Sequence, residues 1–166
     1  AAQHFWYEKP RMFFSAGGLG PMGYALPAAM GVKLADDRRD VWCVTGDGGL
    51  LINIQEFNTL AAEGINLKVA ILNNAHLGMI RQWQEFFYEG RYMGAYLDNP
   101  DFAAVAKSFG LHGVGATTRE EMNSAIEMAH AHDGPVVLDL HVDQVENVYP
   151  MIVPGTGVAS VIEDPR

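Results

Sequence analysis

The chain has 166 residues, of which 49% are hydrophobic and 19% charged, so it is long enough for one globular domain with a sizeable core. Its net charge of −9 and its 11 scattered basic residues argue against a nucleic-acid partner, because phosphate backbones require clustered Lys and Arg. No apolar run reaches membrane-spanning length, so we expect no contact with a membrane.

The first half of the chain predicts strands and helices in alternation. Residues 11–16 predict a short strand, and 22–35 predict a helix because apolar and small residues recur at helical spacing. The apolar, β-branched run 40–45 is typical of a strand buried on both faces. It contains Cys43, whose lack of a second cysteine rules out an internal disulfide and favours a reducing compartment.

The next helix is expected to begin at Asn53. Glu56 follows three residues later, as in a capping box, and Gly64 is placed to end the helix. Residues 67–73 predict another buried strand. In the second half, the pattern predicts helices over 79–88, 99–110 and 118–134 and strands over 112–116 and 136–142, with Thr118 and Glu121 as a second capping box.

This alternation predicts an α/β fold in which helices cover both faces of a parallel sheet. We expect a domain over residues 1–150 and a flexible tail over 151–166, where Pro and Gly are frequent. The chain reads as part of a longer protein. Ligands of such sheets bind at the carboxyl ends of the strands, and both "GDGG" and "NNAHLG" lie at such ends.

Three glycines outline a dinucleotide-binding fingerprint. Gly18, Gly20 and Gly23 have the G-x-G-x-x-G spacing, and an acidic residue ends the next strand. However, Pro21 lies inside the motif and removes an N–H that should face a pyrophosphate. A nicotinamide-binding module therefore remains the alternative from a different class.

Asp47 and Asn74 suggest a metal site. One strand–helix–strand unit separates them, so both should emerge at the same edge of the sheet. A carboxylate and an amide oxygen suit Mg²⁺, and the N–H groups around Gly46, Gly48 and Gly49 suit the diphosphate that accompanies it. A tight turn explains "GDG" alone, and a loop cap explains "NN" alone. At this spacing, the combination favours Mg²⁺ and diphosphate.

These motifs resemble the thiamine diphosphate fingerprint. The stretches "SAGGLGPMGYALPAAMG", "NNAHLGMIRQWQEFF" and "VENVYPMIVPG" are similar to the C-terminal cofactor-binding domain of the acetolactate synthase (acetohydroxyacid synthase) large subunit family. The general fingerprint is shared by many 2-ketoacid decarboxylases and carboligases, which remain the alternative within the class. The stretches "GMIRQWQ" and "ENVYPMIVPG" are closer to the synthase.

The resemblance implies roles for particular residues. The side chains of Asp47 and Asn74 and the main-chain oxygen of His76 would bind Mg²⁺, while the backbone near Gly48 and Gly49 would bind the diphosphate. Gly20 would offer its carbonyl to the aminopyrimidine of the cofactor, and Met22 would wedge beneath it and bend its two rings into a V. Gly78 and Met79 would line the pyrimidine, and Trp83 the substrate channel. For Phe86 and Phe87, plain core packing is expected.

The resemblance also implies the reaction and its partners. Pyruvate would be decarboxylated and joined to a second 2-ketoacid, within branched-chain amino acid synthesis. The glutamate that activates the cofactor in this family matches nothing in this chain, so we expect the fragment to bind the cofactor without turnover, or to serve only in assembly. Missing N-terminal domains, a homodimer or tetramer and a regulatory small subunit are implied, with FAD possible in the full enzyme only. The implied location is the cytoplasm, or an organelle stroma in a plant.

Overall fold

The computed structural model of the chain describes residues 4–165. It contains one parallel sheet with the strand order β1–β2–β4–β3 and a separate antiparallel pair, β5–β6. The strands are β1 (Trp42–Gly46), β2 (Lys68–Asn73), β3 (His112–Ala116), β4 (Val136–His141), β5 (Met151–Ile152) and β6 (Val161–Ile162). The helices are α1 (Ala25–Ala35), α2 (Asp47–Ile52), α3 (Glu56–Ala62), α4 (Gly78–Phe87), α5 (Phe102–Ser108) and α6 (Arg119–Ala131), and a short 3₁₀ helix spans Val158–Ser160.

All neighbouring strands of the large sheet run parallel. Gly46 of β1 pairs with Leu72 of β2, and Asn73 pairs with His141 of β4, so the carboxyl ends of three strands meet at one edge. The predicted parallel α/β sheet is confirmed. Within residues 4–165, no helix combines the length and hydrophobicity needed to cross a membrane.

Helices pack on both faces of the sheet, but unequally. On one face, α1, α3 and α5 bury a large apolar cluster that includes Phe57, Phe102 and Cys43, and burial raises the pKa of the Cys43 thiol to about 12. On the other face, α6 packs small side chains against β3 and β4. Val44 of β1 is 50% exposed there, and Leu72 of β2 is 42% exposed. The second face is therefore only partly covered.

The weak strand predicted over 112–116 forms as β3. Gly113 allows helix α5 to approach closely, since a Cβ atom at this position would stand 2.2 Å from the carbonyl oxygen of Ala103. The capping box predicted at Thr118 and Glu121 is also present at the start of α6. Local sequence signals were sufficient for these two elements.

One predicted element is wrong, and another begins later than predicted. Residues 11–16 form no strand, and Phe13 and Phe14 are largely exposed there. The helix expected from Asn53 forms as α3 but begins only at Glu56, and it is capped at Gln55 without a side-chain bond, so the capping box predicted at Asn53 is wrong. Asn53 is instead the C-cap residue of α2, and its side-chain amide donates to the carbonyl of Gly23 at 2.6 Å, a tertiary contact that orients the side chain towards the glycine loop.

Helix α4 buries its polar side. Arg81 and Gln82 are buried, whereas Trp83 and Phe87 are each 37% exposed, so the core packing expected for Phe87 is wrong. The Gln82 amide exchanges two hydrogen bonds with the backbone of Val148, of 2.8 and 3.0 Å. Arg81 donates to the carbonyl of residue 145. These bonds compensate the burial of polar groups and fasten the start of the C-terminal segment to α4.

Candidate functional site

Asp47 is buried at the end of β1. It is 1% exposed, and it is the first residue of α2, so the strand passes directly into the helix. The N–H of Gly48 donates to Asp47 Oδ1 at 2.8 Å. Because Gly46 pairs with Leu72, Asp47 lies level with Asn73 at the end of the neighbouring strand. The predicted meeting of the two motifs at one sheet edge is present.

The loop after β2 is tightly folded. Asn74 Oδ1 accepts a hydrogen bond from the His76 N–H at 3.2 Å, and His76 Nδ1 lies 2.9 Å from the Asn74 carbonyl oxygen. Ala75 has a φ of +54°, a left-handed conformation that is strained for a residue with a side chain. Its carbonyl accepts from Leu97 N at 2.8 Å. Tertiary bonds therefore hold this strained loop in place.

A hydrogen-bonded network of buried polar side chains connects the carboxyl-terminal parts of three strands. The Asn99 amide donates to Asp47 Oδ2 at 2.7 Å and to Asn73 Oδ1 at 3.0 Å. Asn73 in turn donates to Asp139 Oδ1 on β4 at 2.9 Å. Asn99 Oδ1 is buried and meets no hydrogen-bond donor among residues 4–165. An unpaired buried acceptor beside a carboxylate is a group that a bound ion or water molecule would satisfy.

Three members of this network were not predicted from the sequence. Asp139 carried a signal, since an acidic residue inside the apolar run of β4 must find a polar partner. Asn73 stands beside Asn74, and the sequence predicted a role as metal ligand for Asn74 alone. Asn99 follows no recognisable pattern, because only the fold brings it to a residue 52 positions earlier.

The glycine-rich segment before α1 approaches the same edge. Gly20 has a φ of +62°, and its N–H donates to Ala16 O at 2.7 Å. Met22 is 49% exposed. A Cβ atom on Gly48 would stand 3.4 Å from the terminal methyl of Met22 and 2.5 Å from Leu77 Cδ2. Three distant segments thus converge around Gly48.

A cavity of about 890 Å³ adjoins this edge. Gly20, Met22, Gly46 and Gly49 are among the residues that line it, together with the 11–16 segment and parts of α1 and β1. The remaining cofactor candidates are not among its lining residues: Gly48, Asn74, His76, Gly78 and Met79. Gly78 nevertheless lies beside Asn74, since its Cβ position would be 3.2 Å from the Asn74 amide nitrogen.

Trp83 lies apart from that cavity. It packs edge-on against Phe87 at 5.3 Å between ring centroids and lines a separate cavity of about 370 Å³ with Ile80, Tyr88 and Arg91. The structure therefore does not bring Trp83 into the same cavity as Gly20 and Met22.

The donor atoms near Asp47 suit a hard cation. Among the described residues, no three His, Cys, Asp or Glu side chains converge as a metal cluster. The candidate set of Asp47, Asn74 and the His76 carbonyl contains one carboxylate and two neutral oxygens. Mg²⁺ prefers oxygen ligands and keeps several positions for water and phosphate, so a single carboxylate fits Mg²⁺ bound together with a diphosphate.

The dinucleotide alternative lacks its structural context. The fingerprint requires a strand before the first glycine and a helix that opens within the motif. Residues 11–16 are not a strand, and α1 begins at Ala25, after Gly23. The glycines instead form a loop before α1, and Gly23 contacts Ile52 and Asn53 at the end of α2.

The sequence matches a known domain family. The profile described as "Thiamine pyrophosphate enzyme, C-terminal TPP binding domain" covers residues 1–140. The chain is 40% identical over 164 residues to the acetolactate synthase isozyme 2 large subunit of Escherichia coli K12, covering 98% of this chain and 30% of that protein. It is 46% identical over 164 residues to the acetolactate synthase large subunit of Parasynechococcus marenigrum, covering 98% of this chain and 26% of that protein.

A solved structure has a similar fold. The thiamine diphosphate-dependent 4-hydroxybenzoylformate decarboxylase of Rhodococcus jostii RHA1 superposes with a TM-score of 0.70 and 28% identity, covering 78% of this chain and 24% of that one. The chain therefore spans 24–30% of the length of these proteins.

Gly23→Ala should destabilise the domain by about 2 kcal/mol, because Gly23 has a φ of +87° and a Cβ atom there would stand 2.9 Å from Ile52 Cγ2 and from the Asn53 amide. Gly31→Ala is the matched control, since a Cβ at this position inside α1 meets nothing within 4 Å and should gain helix propensity. Urea unfolding midpoints of both variants measure the difference. Equal midpoints would contradict the geometry of the glycine loop.

Proposed function

Since the chain belongs to the family of C-terminal thiamine pyrophosphate-binding domains of thiamine pyrophosphate enzymes, we propose that it is the cofactor-binding part of an acetolactate synthase. The observation that carries this proposal is the convergence of Asp47, the Asn74 loop and Met22 at one sheet edge. The proposed reaction decarboxylates pyruvate and joins the product to a second 2-ketoacid, in branched-chain amino acid synthesis.

Asp47, Asn74 and the His76 carbonyl are the proposed ligands of Mg²⁺. A buried carboxylate is costly unless a cation or hydrogen-bond donors compensate its charge. Among residues 4–165, Asp47 receives one backbone and one amide donor and no basic side chain. This arrangement fits a carboxylate that is completed by a metal ion.

The segment from Gly46 to Gly49 is the proposed diphosphate site. Gly46 and Gly49 line the large cavity, and the N–H groups at the start of α2 have no helical carbonyl acceptor, although that of Gly48 donates to Asp47 Oδ1. Gly49 carries no side chain, so backbone groups alone are available from this residue. Oxygen anions and backbone N–H groups are well matched at such a turn.

The remaining candidates would hold the organic part of the cofactor. Gly20 is proposed to accept from the aminopyrimidine through its carbonyl, and the exposed Met22 side chain to support the angle between the two rings. Gly78 and Met79, at the start of α4, would line the pyrimidine. Bound thiamine diphosphate would supply a nucleophilic carbon and an electron sink for the decarboxylation of a 2-ketoacid. Trp83 is proposed for the substrate channel.

The second candidate function is a decarboxylase without carboligation. The similarity to the Rhodococcus decarboxylase favours it, since that protein is named for such a reaction. Identities of 40% and 46% to two acetolactate synthase large subunits favour the synthase. Product analysis with pyruvate separates them, because the synthase forms acetolactate and a decarboxylase releases an aldehyde.

Further domains and a second subunit are proposed to cover the exposed apolar surfaces. Trp83, Phe87 and Met79 on α4 are at least 37% exposed, as are Val44 and Leu72 on the sheet. Exposed apolar patches of this kind mark interaction surfaces. The proposed partners are the N-terminal domains, a second copy in a homodimer or tetramer, and a regulatory small subunit. Any FAD is proposed to bind only in the full enzyme, and the cytoplasm or a plant organelle stroma is the proposed location.

Asp47→Ala in the full-length enzyme should abolish Mg²⁺-dependent binding of thiamine diphosphate, because it removes the only carboxylate of the proposed metal site. The fold should persist, since neither of the two apolar core clusters includes Asp47. Calorimetric titration with thiamine diphosphate, with and without Mg²⁺, measures the loss. Affinity equal to the wild type would remove Asp47 from the metal site.

Met22→Ala in the full-length enzyme should slow hydrogen–deuterium exchange at the reactive thiazolium carbon while leaving cofactor affinity largely intact. The anchoring groups lie at Asp47 and Asn74, whereas Met22 would act only on ring geometry. A misplacement of about 1 Å can cost roughly a hundredfold in rate. If exchange proceeds at the wild-type rate in a folded variant, Met22 has only a packing role.

The 166-residue chain alone should form no acetolactate, because it spans only 26–30% of the similar synthases and the family's activating glutamate is implied to lie on another domain. Colorimetric detection of acetolactate after incubation with pyruvate, Mg²⁺ and thiamine diphosphate tests this. Robust turnover would show that a carboxylate of this chain activates the cofactor.

A further inference from the structure

Among residues 4–165, Asn99 is the only side chain that donates a hydrogen bond to the Asp47 carboxylate. Its amide nitrogen has two hydrogens, and both are used, one for Asp47 Oδ2 at 2.7 Å and one for Asn73 Oδ1 at 3.0 Å. The other donor to Asp47 is the adjacent Gly48 N–H, which moves together with it. Asn99 is thus the contact that fixes the rotation of the carboxylate from outside its own turn.

The hydrogen-bond partners of Asn99 and Asn73 determine which way each side-chain amide is oriented. An ionised Asp47 can only accept, so the NH₂ end of Asn99 must face it. Asn73 Oδ1 also accepts the N–H of Ala75 at 3.3 Å, so its NH₂ end must face Asp139. Reversing either amide would set acceptor against acceptor. The network therefore has one consistent arrangement of donors and acceptors. This arrangement leaves Asn99 Oδ1 buried and without a donor among residues 4–165.

The segment that carries Asn99 also holds the asparagine loop. Leu97 N donates to Ala75 O at 2.8 Å, and Ala95 O accepts from Leu77 N at 2.7 Å. After Asn99, the side chain of Asp101 caps α5 by accepting from the Ala104 N–H at 2.8 Å. One segment, residues 95–101, is therefore bonded to the loop of Asn74 and His76 on one side and to Asp47 on the other.

We propose that Asn99 is a positioning residue for the cation site. It aims the Asp47 carboxylate and keeps it in register with the loop that carries Asn74 and His76, without being a ligand itself. This inference depends on the proposed function, since it assumes that Asp47 and Asn74 bind Mg²⁺. Side chains that orient a metal ligand typically affect metal affinity by about tenfold to a hundredfold.

The test uses Asn99→Leu in the full-length enzyme, because Leu has a similar shape but can donate no hydrogen bond. We expect the dissociation constant for Mg²⁺, titrated calorimetrically at saturating thiamine diphosphate, to rise at least about tenfold. At saturating Mg²⁺, kcat should return close to that of the wild type, because the ligands themselves remain. The electron paramagnetic resonance spectrum of bound Mn²⁺ should differ in line shape, since the carboxylate is no longer aimed.

Asn66→Ala is the matched control. Asn66 also joins buried and exposed polar groups, donating to Asp133 at 3.0 Å and accepting from Lys68 at 2.7 Å, but it lies before β2, at the opposite edge of the sheet. It should lower the melting temperature without changing the affinity for Mg²⁺. If Asn99→Leu does not fold, Asn99→Ser is subjected to the same titration.

The outcomes separate the two proposals. Unchanged or tighter Mg²⁺ binding by a folded Asn99 variant would overturn the positioning role and leave the proposed function intact. A loss of affinity shared by Asn66→Ala would also overturn it, because the effect would then follow from general destabilisation. Failure of the wild-type enzyme to bind Mg²⁺ with thiamine diphosphate would instead overturn the proposed function.

Discussion

The parallel pairing of β1 with β2 is the constraint on which the site depends. It aligns Gly46 with Leu72, so Asp47 leaves the sheet beside Asn73 and close to the loop of Asn74. Side chains alternate between faces along a strand, so a slip of one residue would turn Asp47 to the other side of the sheet. The apolar pattern of both strands opposes such a slip, because it would expose the fully buried Val69 and Ile71.

Placing polar groups at this edge has a cost that the structure offsets in a specific way. Asp47, Asn73 and Asp139 are each at most 5% exposed. Each unpaired buried group costs about 1–3 kcal/mol, and the amides of Asn99 and Asn73 provide most of the required partners. The two amides join carboxylates that would otherwise repel each other. Among residues 4–165, Asn99 Oδ1 has no hydrogen-bond donor. It belongs to the side chain that bonds Asp47, a proposed ligand of the cation.

Helix α4 is arranged in the opposite way from an ordinary surface helix. Its polar residues Arg81 and Gln82 are inside, where they bind the backbone of the segment at 145–148, and its aromatic residues Trp83 and Phe87 are outside. Together with the exposed Val44 and Leu72 on the sheet, this leaves apolar surface on two sides of the domain. Apolar surface of this kind suits contact with neighbouring domains or subunits, in agreement with the chain's covering only part of its relatives' length.

The sequence by itself determined the parallel α/β architecture, the capping box of α6 and the strands that precede Asp47 and Asn74. It also determined the membership in a thiamine pyrophosphate-binding family. These features depend on periodicity, on local turn chemistry and on motifs that are contiguous in the chain. Only the tertiary structure decided that Asn53 bonds Gly23 and not its own helix, that α4 is buried on its polar side, and that Asn99 reaches Asp47. The reason is that each of these depends on a hydrogen bond between distant residues, and the energy of such a bond overrides local preference without leaving a periodic signal in the sequence.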